Sequence, residues 1–200
     1  TRVYEYVEAV SDWALLGSAI DGCADSMSGY SVSLSADGQA VAVGAYDGSG
    51  TGAKTGTVKV YRICDDSWTQ IGAEISGDGF YDRAGWSVAI DDTGSTLAVG
   101  SPYSNSAGGD SGRTSVYKLV NDTCGTSICC GEWELLGMHI NGANPDDYCG
   151  IAVDLSANGQ TVAMGAFGND DAGSHAGEVR IFTAADLAAE GPSGMWRGML

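Results

Sequence analysis

Residues 29–45 read GYSVSLSADGQAVAVGA, and this stretch decides the fold. Residues alternate in character over 31–34 and again over 40–43, with Asp37 and Gly38 between the two runs. A period of two is typical of β-strands, and Asp-Gly is a frequent hairpin turn because it tolerates positive φ. We therefore interpret the stretch as a strand, a two-residue turn and a second strand.

The same stretch returns twice along the chain. Residues 85–100 read GWSVAIDDTGSTLAVG, and residues 150–165 read GIAVDLSANGQTVAMG. Asn158-Gly159 repeats the hairpin preference, whereas Thr93-Gly94 departs from it, so we expect a different turn there. Three copies in register predict a repeat protein.

The alternation predicts that each sheet is buried on both faces. Val41 and Val43 share one face of the second strand, and Ala40 and Ala42 share the other. A half-solvated sheet would carry charged residues on its outer face. Large residues opposite small ones instead suit sheets that are covered on both sides and approach closely.

Two further strands complete each repeat. A third strand follows as GTVKVY at 56–61, GRTSVY at 112–117 and GEVRIF at 177–182. A fourth carries the signature Trp-x-x-(Leu/Ile)-Gly-x-x-Ile-x-Gly at 13–22, 68–77 and 133–142. We interpret Trp13, Trp68 and Trp133 as packing anchors, since they recur at one strand position.

Four short strands per repeat predict an all-β fold, a β-propeller of four-stranded blades. Residues 1–28 form the end of a preceding blade, and blades follow at 29–84, 85–149 and 150–200. The fourth strand of the last blade is not clearly marked, and residues 184–190 are a short helical candidate. The chain thus holds about three and a half blades of one propeller domain.

The order Gly-x-Ser-Val, a turn, Ala-Val-Gly-Ala and then Gly-x-Val-x-Val-Tyr resembles the FG-GAP repeat of integrin α chains. The resemblance extends over nearly the whole chain. It implies a seven-bladed propeller that serves adhesion or protein contact, usually outside the cell. Many FG-GAP repeats also hold calcium between the first two strands, with several acidic oxygens converging. Here that loop is only Ser-Ala-Asp-Gly-Gln at 35–39, so we expect no metal site there.

Closed propellers need at least four blades, so we expect the chain to be a fragment of a longer propeller. An open array would leave sheet edges that can pair with other chains. Assembly into a larger complex or filament is the alternative.

The charge balance limits the partners. The 200 residues include 26 Asp and Glu against 9 Lys and Arg, a net charge of −17. Such a surface repels phosphate groups, so we expect no nucleic acid partner. No apolar run is long enough to span a membrane, so we expect no membrane insertion. The acidity suits solubility in a salty exterior or, alternatively, a cation-dependent contact surface.

The six cysteines and one glycosylation triplet favour an extracellular or cell-surface location. Cys23 and Cys149 lie in loops between blades, whereas Cys64, Cys124, Cys129 and Cys130 lie in loops between third and fourth strands. Disulfides within each group are favoured, because a bridge needs Cα atoms within about 7 Å. Cys124 with Cys129 or Cys130 is the local candidate. Asn121, in Asn-Asp-Thr, is the candidate N-glycosylation site.

Loops that follow second strands should share one end of the propeller with loops that link blades. This face gathers carboxylates, amides and aromatic rings. The candidate ligand or partner residues are Phe80, Tyr81, Asp82, Arg83, Tyr103, Phe167, Asp170 and Asp171. The alternative interpretation is a set of solvated acidic turns, and Asn169-Asp170-Asp171 is a candidate for weak cation binding.

No motif predicts catalysis or a cofactor. We expect neither His139 nor His175 to have a Ser or Cys arranged as in a triad. Residues 48–55, GSGTGAKT, depart from a phosphate loop in composition and join two strands. Asp154 is a lone carboxylate on a first strand.

The sequence therefore predicts a non-catalytic, secreted β-propeller module for protein–protein contact or adhesion to a cell surface or matrix, with a protein or glycan partner. One alternative is a structural subunit of a larger extracellular complex or filament. The other is the propeller part of an extracellular carbohydrate-active enzyme, which would need convergent acid and base groups.

Overall fold

The computed structural model describes residues 1–120 and 129–189. The predictions for Asn121 and Cys124, and for the strand after residue 189, lie outside these residues. The described chain forms four antiparallel sheets in chain order, followed by one short helix.

The first sheet pairs β1 (Tyr4–Val7) with β2 (Asp12–Leu15). The second sheet has the spatial order β3 (Ser31–Leu34), β4 (Ala40–Ala45), β5 (Thr57–Cys64) and β6 (Ser67–Ser76). The third sheet has the order β7 (Ser87–Ile90), β8 (Thr96–Ser101), β9 (Arg113–Val120) and β10 (Glu132–Leu135), and β11 (Ile140–Asn141) also pairs with β9. The fourth sheet has the order β12 (Ala152–Leu155), β13 (Thr161–Ala166) and β14 (Glu178–Thr183).

Helix α1 (Ala184–Ala189) follows β14 directly, where the sequence predicted a helix. Thr183 Oγ1 accepts a hydrogen bond from the backbone N–H of Asp186, and the Asp186 carboxylate accepts one from the backbone N–H of Thr183. This reciprocal pair is a capping box, which satisfies two N–H groups at the helix start.

The predicted all-β class is confirmed for the described residues. That the sheets are blades of a propeller, how many blades it has and whether it closes into a ring stay predictions.

The core lies between neighbouring sheets, as the two-faced alternation predicted. Val41 and Val43 pack toward the first sheet, while Ala40 and Ala42 on the same strand pack toward the third. The third sheet meets these alanines with Leu97 and Val99. Large residues of one sheet therefore face small residues of the sheet before it, which lets the sheets approach closely.

The serine of the Gly-x-Ser-Val motif links the innermost strands of neighbouring sheets. Ser31 Oγ donates to the carbonyl oxygen of Gly85 at 2.7 Å, and Ser87 Oγ donates to that of Gly150 at 2.8 Å. The carbonyl of Gly85 also comes so close to Gly44 that a Cβ there would lie 2.2 Å from its oxygen. Glycine at this position is therefore required by the sheet-to-sheet contact.

The tryptophan of the second signature reaches back to the preceding sheet. Trp68 Nε1 donates to the carbonyl oxygen of Leu16 at 2.8 Å, and Trp133 Nε1 donates to that of Ile71 at 3.0 Å. Each indole also lies over the glycine that follows its acceptor, Gly17 or Gly72. In these two copies the Trp and the Leu/Ile-Gly of the motif thus contact each other across neighbouring sheets, which the sequence predicted only as packing. Trp13 is 64% exposed, so the prediction of a packing anchor is wrong for that residue.

The prediction of two-residue hairpin turns was wrong. Five residues connect β3 to β4, and only the glycine has positive φ, as in Gly38 (+68°), Gly94 (+68°) and Gly159 (+65°). In the first loop the Asp37 carboxylate accepts from Ser35 Oγ at 2.6 Å and from the N–H of Gln39 at 2.9 Å. These hydrogen bonds hold the turn without positive φ at Asp37. The Thr93-Gly94 turn was expected to differ, but Gly94 has the same conformation as Gly38.

Candidate partner-binding face

Loops from neighbouring sheets come together at one end of the strands. The loop before β5 pairs with the loop before β7 through a bridge between Gly56 and Ala84, and the N–H of Ala84 donates to the carbonyl oxygen of Thr55 at 2.9 Å. The next pair of sheets repeats the contact between Gly112 and Cys149. The loops after second strands and the loops between sheets therefore form one face.

Six aromatic rings cross this face in an unbroken series, which we call the aromatic strip. Successive ring centroids lie 4.5 to 5.6 Å apart, and most neighbouring rings meet edge to face or tilted. The last two rings are stacked at 5.0 Å with an interplanar angle of 10°. The members are Tyr30, Tyr46, Trp86, Tyr103, Tyr148 and Phe167.

The aromatic strip remains accessible at both ends. Tyr30 is 52% exposed and Phe167 is 56% exposed, while the four rings between them are half-buried. Because the loops come from three sheets, the rings join into an extended surface that no single loop supplies. Clustered exposed aromatic rings of this kind are typical of protein contact sites.

Arg83 lies over the middle of the aromatic strip. Its guanidinium carbon is 4.6 Å from the ring centroid of Tyr103, 5.6 Å from that of Tyr46 and 5.9 Å from that of Trp86. All three distances are within the range of a cation–π interaction. Arg83 takes part in none of the ion pairs among the described residues.

Three loops of this face hold side chains in the left-handed backbone region. Positive φ occurs four and two residues before Gly29, Gly85 and Gly150. The residues are Asp25 (59°), Met27 (56°), Tyr81 (67°), Arg83 (56°), Asp146 (62°) and Tyr148 (55°). A side chain in this region costs about 1–2 kcal/mol that glycine avoids. Retaining Arg83 and Tyr148 in such positions is typical of sites where the side chain itself is needed.

The structure places the predicted face residues in different roles. Tyr103 and Phe167 belong to the aromatic strip, and Arg83 lies over its middle. Phe80 and Tyr81 are exposed by 68% and 56%, but among the described residues no ring contact joins them to it. Asp82 is buried, and its carboxylate accepts a hydrogen bond from the N–H of Gly79 at 2.9 Å. Asp82 therefore caps its own loop and cannot contact a partner directly.

The acidic residues of the fourth sheet also hold loops together. Asp170 accepts a hydrogen bond from the N–H of His175, and Asp171 accepts one from Asn144 Nδ2 at 3.3 Å. Asn169 is buried and donates to the buried Asp147 at 3.3 Å. Among the described residues, no three His, Cys, Asp or Glu side chains are grouped so that they could hold a metal ion.

The candidate contact residues predicted from the sequence omitted four members of the aromatic strip, Tyr30, Tyr46, Trp86 and Tyr148, although the loops that hold Tyr46 and Tyr148 were assigned to this face. Tyr30 and Trp86 each follow the first glycine of the repeat, and Tyr46 follows the second strand just as Phe167 does. These fixed positions were a signal that the rings share one side of the molecule.

The sequence indicated no triad-like Ser or Cys arrangement at His139, but the fold brings a serine and an aspartate close to it. Pairing of β9 with β11 brings Ser115 Oγ to 2.7 Å from His139 Nδ1, and His139 Nε2 lies 3.7 Å from Asp78 Oδ2. Burial, and then the charge of Arg113, lower the pKa of His139, while Asp78 raises it. The arrangement resembles a triad in composition only.

Two features argue against catalysis at this Ser–His–Asp cluster. Arg113 forms an ion pair with Asp78, so that carboxylate is already neutralised by a stronger partner. The cavity beside Ser115 holds about 10 Å³, which is room for at most one water molecule. The cluster is a polar contact between the second and third sheets.

Asp154, the lone carboxylate of β12, accepts a hydrogen bond from the neighbouring N–H of Leu155 at 2.9 Å.

A larger cavity of about 460 Å³ lies between residues 21–28 and the second sheet. Lys54 pairs with Asp47 at 3.0 Å and Lys59 with Glu74 at 3.1 Å, whereas Asp21 and Asp25, which also line the cavity, take part in no ion pair among the described residues.

The cysteines follow the predicted grouping in part. Cys64 and Cys129 form a disulfide, so the predicted alternative of Cys124 with Cys129 was wrong. Cys130 is also disulfide-bonded. Cys23 and Cys149 are free thiols, contrary to the prediction. Cys149 is fully buried among core residues, where burial raises its pKa to about 11, whereas Cys23 is exposed.

No helix in the described part of the chain is long and apolar enough to cross a membrane. No protein-family model and no curated protein matches the sequence.

Among solved structures, the chain is similar to the hydrazine synthase of Kuenenia stuttgartiensis, with a TM-score of 0.46 and 15% identity. That match covers 92% of this chain and 40% of the other. The chain is also similar to the periplasmic gluconolactonase PpgL of Pseudomonas aeruginosa, with a TM-score of 0.49 and 18% identity. Here 91% of this chain matches 45% of the other. The chain thus spans less than half the length of these proteins, and similarity at this level assigns it no activity.

Proposed function

We propose that this chain is part of a secreted, non-catalytic β-propeller of FG-GAP-like repeats, and that its loop face binds a protein or a component of a cell surface or matrix. The observation that carries this proposal is the aromatic strip. It spans loops of three sheets and stays exposed at both ends. Aromatic side chains supply large contact area at low cost in conformational entropy, which is why they dominate binding surfaces.

The repeated positive φ values support a binding role for this face. A loop selected only for compactness would place glycine at these positions, as it does at Gly29, Gly85 and Gly150. Arg83 and Tyr148 instead carry large side chains that contact the aromatic strip. The Cys64–Cys129 disulfide supports the extracellular location, because such bonds persist in oxidising compartments.

The test is adhesion of the labelled chain to the surface of cells and matrix of its source organism. A variant with Tyr30→Ser and Phe167→Ser removes the two exposed ends of the aromatic strip. We expect it to bind about tenfold more weakly, the scale of a central contact residue. The matched control, Tyr4→Ser with Val10→Ser, changes residues that are 50% and 70% exposed on the first sheet and its turn. Equal binding by the strip variant and the natural chain would exclude this face as the binding surface.

A second observation bears on the assembly. Val179 and Ile181 of β14 are 73% and 66% exposed, although the equivalent residues of β5, Val58 and Val60, are 1% and 3% exposed. Gly165 stands where Gly44 and Gly100 each receive a glycine carbonyl from the following sheet, yet a Cβ there would meet only ordinary contacts, the nearest 3.8 Å away on Ile151. We propose that a further sheet of the same repeat covers the fourth sheet, within a propeller of seven blades.

The intact mass of the native protein tests this second proposal. We expect a species well above the 20.4 kDa of this chain, because further blades add mass. A native species of 20.4 kDa that remains monomeric in sedimentation would exclude further blades. It would also exclude the alternative of a subunit in a complex or filament.

A further inference from the structure

The loop face carries one cation on its aromatic strip, and the position of that cation indicates what else the strip can bind. The guanidinium of Arg83 is held by three rings, without a carboxylate partner among the described residues. A planar cation can therefore be seated here by ring faces alone.

The next position along the aromatic strip has rings but no cation. Arg83 stands two residues before Gly85, and its equivalent before Gly150 is Tyr148. Tyr148 stacks on Phe167, which is more than half exposed. Arg83 thus covers the rings between the second and third sheets, whereas the rings of Tyr148 and Phe167, between the third and fourth sheets, have no arginine or lysine of the described residues over them.

The charge around the aromatic strip is strongly negative. The six loops of this face, residues 21–30, 46–56, 77–86, 102–112, 142–151 and 167–177, contain ten aspartates, with Lys54 and Arg83 as their lysine and arginine. Asp82 and Asp147 are buried, and Asp47 and Asp78 are paired with Lys54 and Arg113, which leaves six aspartates without a lysine or arginine partner among the described residues. Burial is the largest cause of the raised pKa of the Tyr148 phenol, and the nearby charges of Asp110 and Asp146 raise it further. Negative charge beside ring faces attracts cations twice over, through the carboxylates and through the ring quadrupoles.

We propose that the aromatic strip binds a basic polypeptide segment through arginine side chains, which stack on Tyr148, Phe167 and Tyr30 while the surrounding aspartates neutralise their charge. This inference rests on the proposed binding function and names the chemistry of the partner. A neutral glycan could stack on the same rings, but it would make no use of the aspartates. Arginine is favoured over lysine because its planar guanidinium can stack on a ring as Arg83 does.

The experiment uses three probes on the chain with its disulfides intact: a short synthetic peptide alternating arginine and serine, the same peptide with lysine, and a neutral glucose oligosaccharide. Binding is followed by calorimetry at fixed low salt. We expect the arginine peptide to bind several-fold more tightly than the lysine peptide, and the oligosaccharide not to bind. In the variant with Tyr30→Ser and Phe167→Ser, we expect affinity for the arginine peptide to fall about fivefold or more, since each stacked contact contributes a factor of roughly two to five.

The control variant, Tyr4→Ser with Val10→Ser, should bind the arginine peptide as the natural chain does. Equal affinity for the two peptides, unchanged in the strip variant, would overturn the inference and indicate general charge attraction. Binding of the oligosaccharide alone would also overturn it and indicate a glycan partner.

The two proposals can fail separately. If the strip variant loses adhesion to cells while the arginine peptide does not bind, the binding function stands and this inference fails. If the peptide binds through the aromatic strip while adhesion is unchanged in the variant, the proposed function fails.

Discussion

Single glycines set how closely the sheets of this protein approach each other. Gly72 lies in β6 where the pairing with β5 shifts register, and the indole of Trp133 rests on it. A Cβ at Gly72 would lie 2.9 Å from Trp133 Cδ1 and 3.0 Å from the carbonyl oxygen of Gly131. The glycine is therefore needed for both its backbone conformation and its small size.

The variant Gly72→Ala should separate these two needs. Gly38 has almost the same φ, +68° against +69°, but nothing lies within 4 Å of a Cβ there. We expect Gly38→Ala to cost about 1 kcal/mol of unfolding free energy, for positive φ alone. Gly72→Ala should cost about 3 kcal/mol, because the displaced Trp133 adds overpacking. Urea unfolding measures both, and equal losses would show that the indole contact contributes nothing.

The imidazole of His139 makes stability depend on pH. Burial and Arg113 lower the pKa of His139 in the folded protein, whereas in the unfolded chain it has the ordinary value of about 6.5. As pH falls, the unfolded state therefore binds the proton before the folded state does. The contribution of His139 is fully present above about pH 6.5 and is lost as pH falls toward the folded pKa. We expect the free energy of unfolding to decrease over this range.

The matched control for this prediction is His139→Gln, which keeps a polar side chain but cannot titrate. Urea unfolding of both proteins at pH 7.5 and pH 5.5 gives the comparison. The natural chain should lose more stability between the two values than the variant, since the carboxylates titrate alike in both. Parallel losses would show that His139 is not responsible.

At the scale of elements, the Cys64–Cys129 disulfide joins the end of β5 to the segment before β10. It therefore connects the second and third sheets across 65 residues of sequence. Closing a loop of this length restricts the unfolded chain and is worth about 4 kcal/mol in the chain-entropy model.

The variant with both Cys64→Ser and Cys129→Ser should thus lose about 4 kcal/mol of unfolding free energy. Cys23→Ser is the control, because that thiol is free and exposed, and it should change stability little. Calorimetric or urea unfolding measures both. A loss in the double variant no larger than in the control would mean that the native sheets hold together without the bond.

At the scale of the whole molecule, the net charge of −17 acts against compactness. Repulsion between like charges destabilises the folded state, and salt screens it as the Debye length falls from about 30 Å at 0.01 M to about 10 Å at 0.1 M. We expect the midpoint of thermal unfolding to rise by several degrees over this range.

The turn between β5 and β6 offers a control for charge. Asp65 and Asp66 are exposed and have positive φ, which asparagine also tolerates. The variant with Asp65→Asn and Asp66→Asn should show a smaller rise with salt. If the unfolding midpoint of the variant rose with salt as much as that of the natural chain, ion-specific effects and not charge repulsion would be the cause.

The sequence predicted the strands and their two-faced burial because alternation depends only on local spacing. Its repeated Gly-x-Ser and Trp motifs marked the right residues, but their hydrogen bonds to the neighbouring sheets could not be derived from one repeat. The aromatic strip and the Ser115–His139 contact were missed for the same reason. Each forms between residues more than a strand apart, and only the stacking of sheets brings them together.

The disulfide between the second and third sheets also bears on mechanical load. A force applied along the chain reaches the hydrogen bond between Ser31 and Gly85, and the Cys64–Cys129 disulfide joins the same two sheets covalently. The joint at Ser87–Gly150 has no such bond among the described residues, and the nearby Cys149 thiol is free. The second and third sheets therefore stay tethered even when their hydrogen bonds break, whereas the contacts between the third and fourth sheets are non-covalent among the described residues.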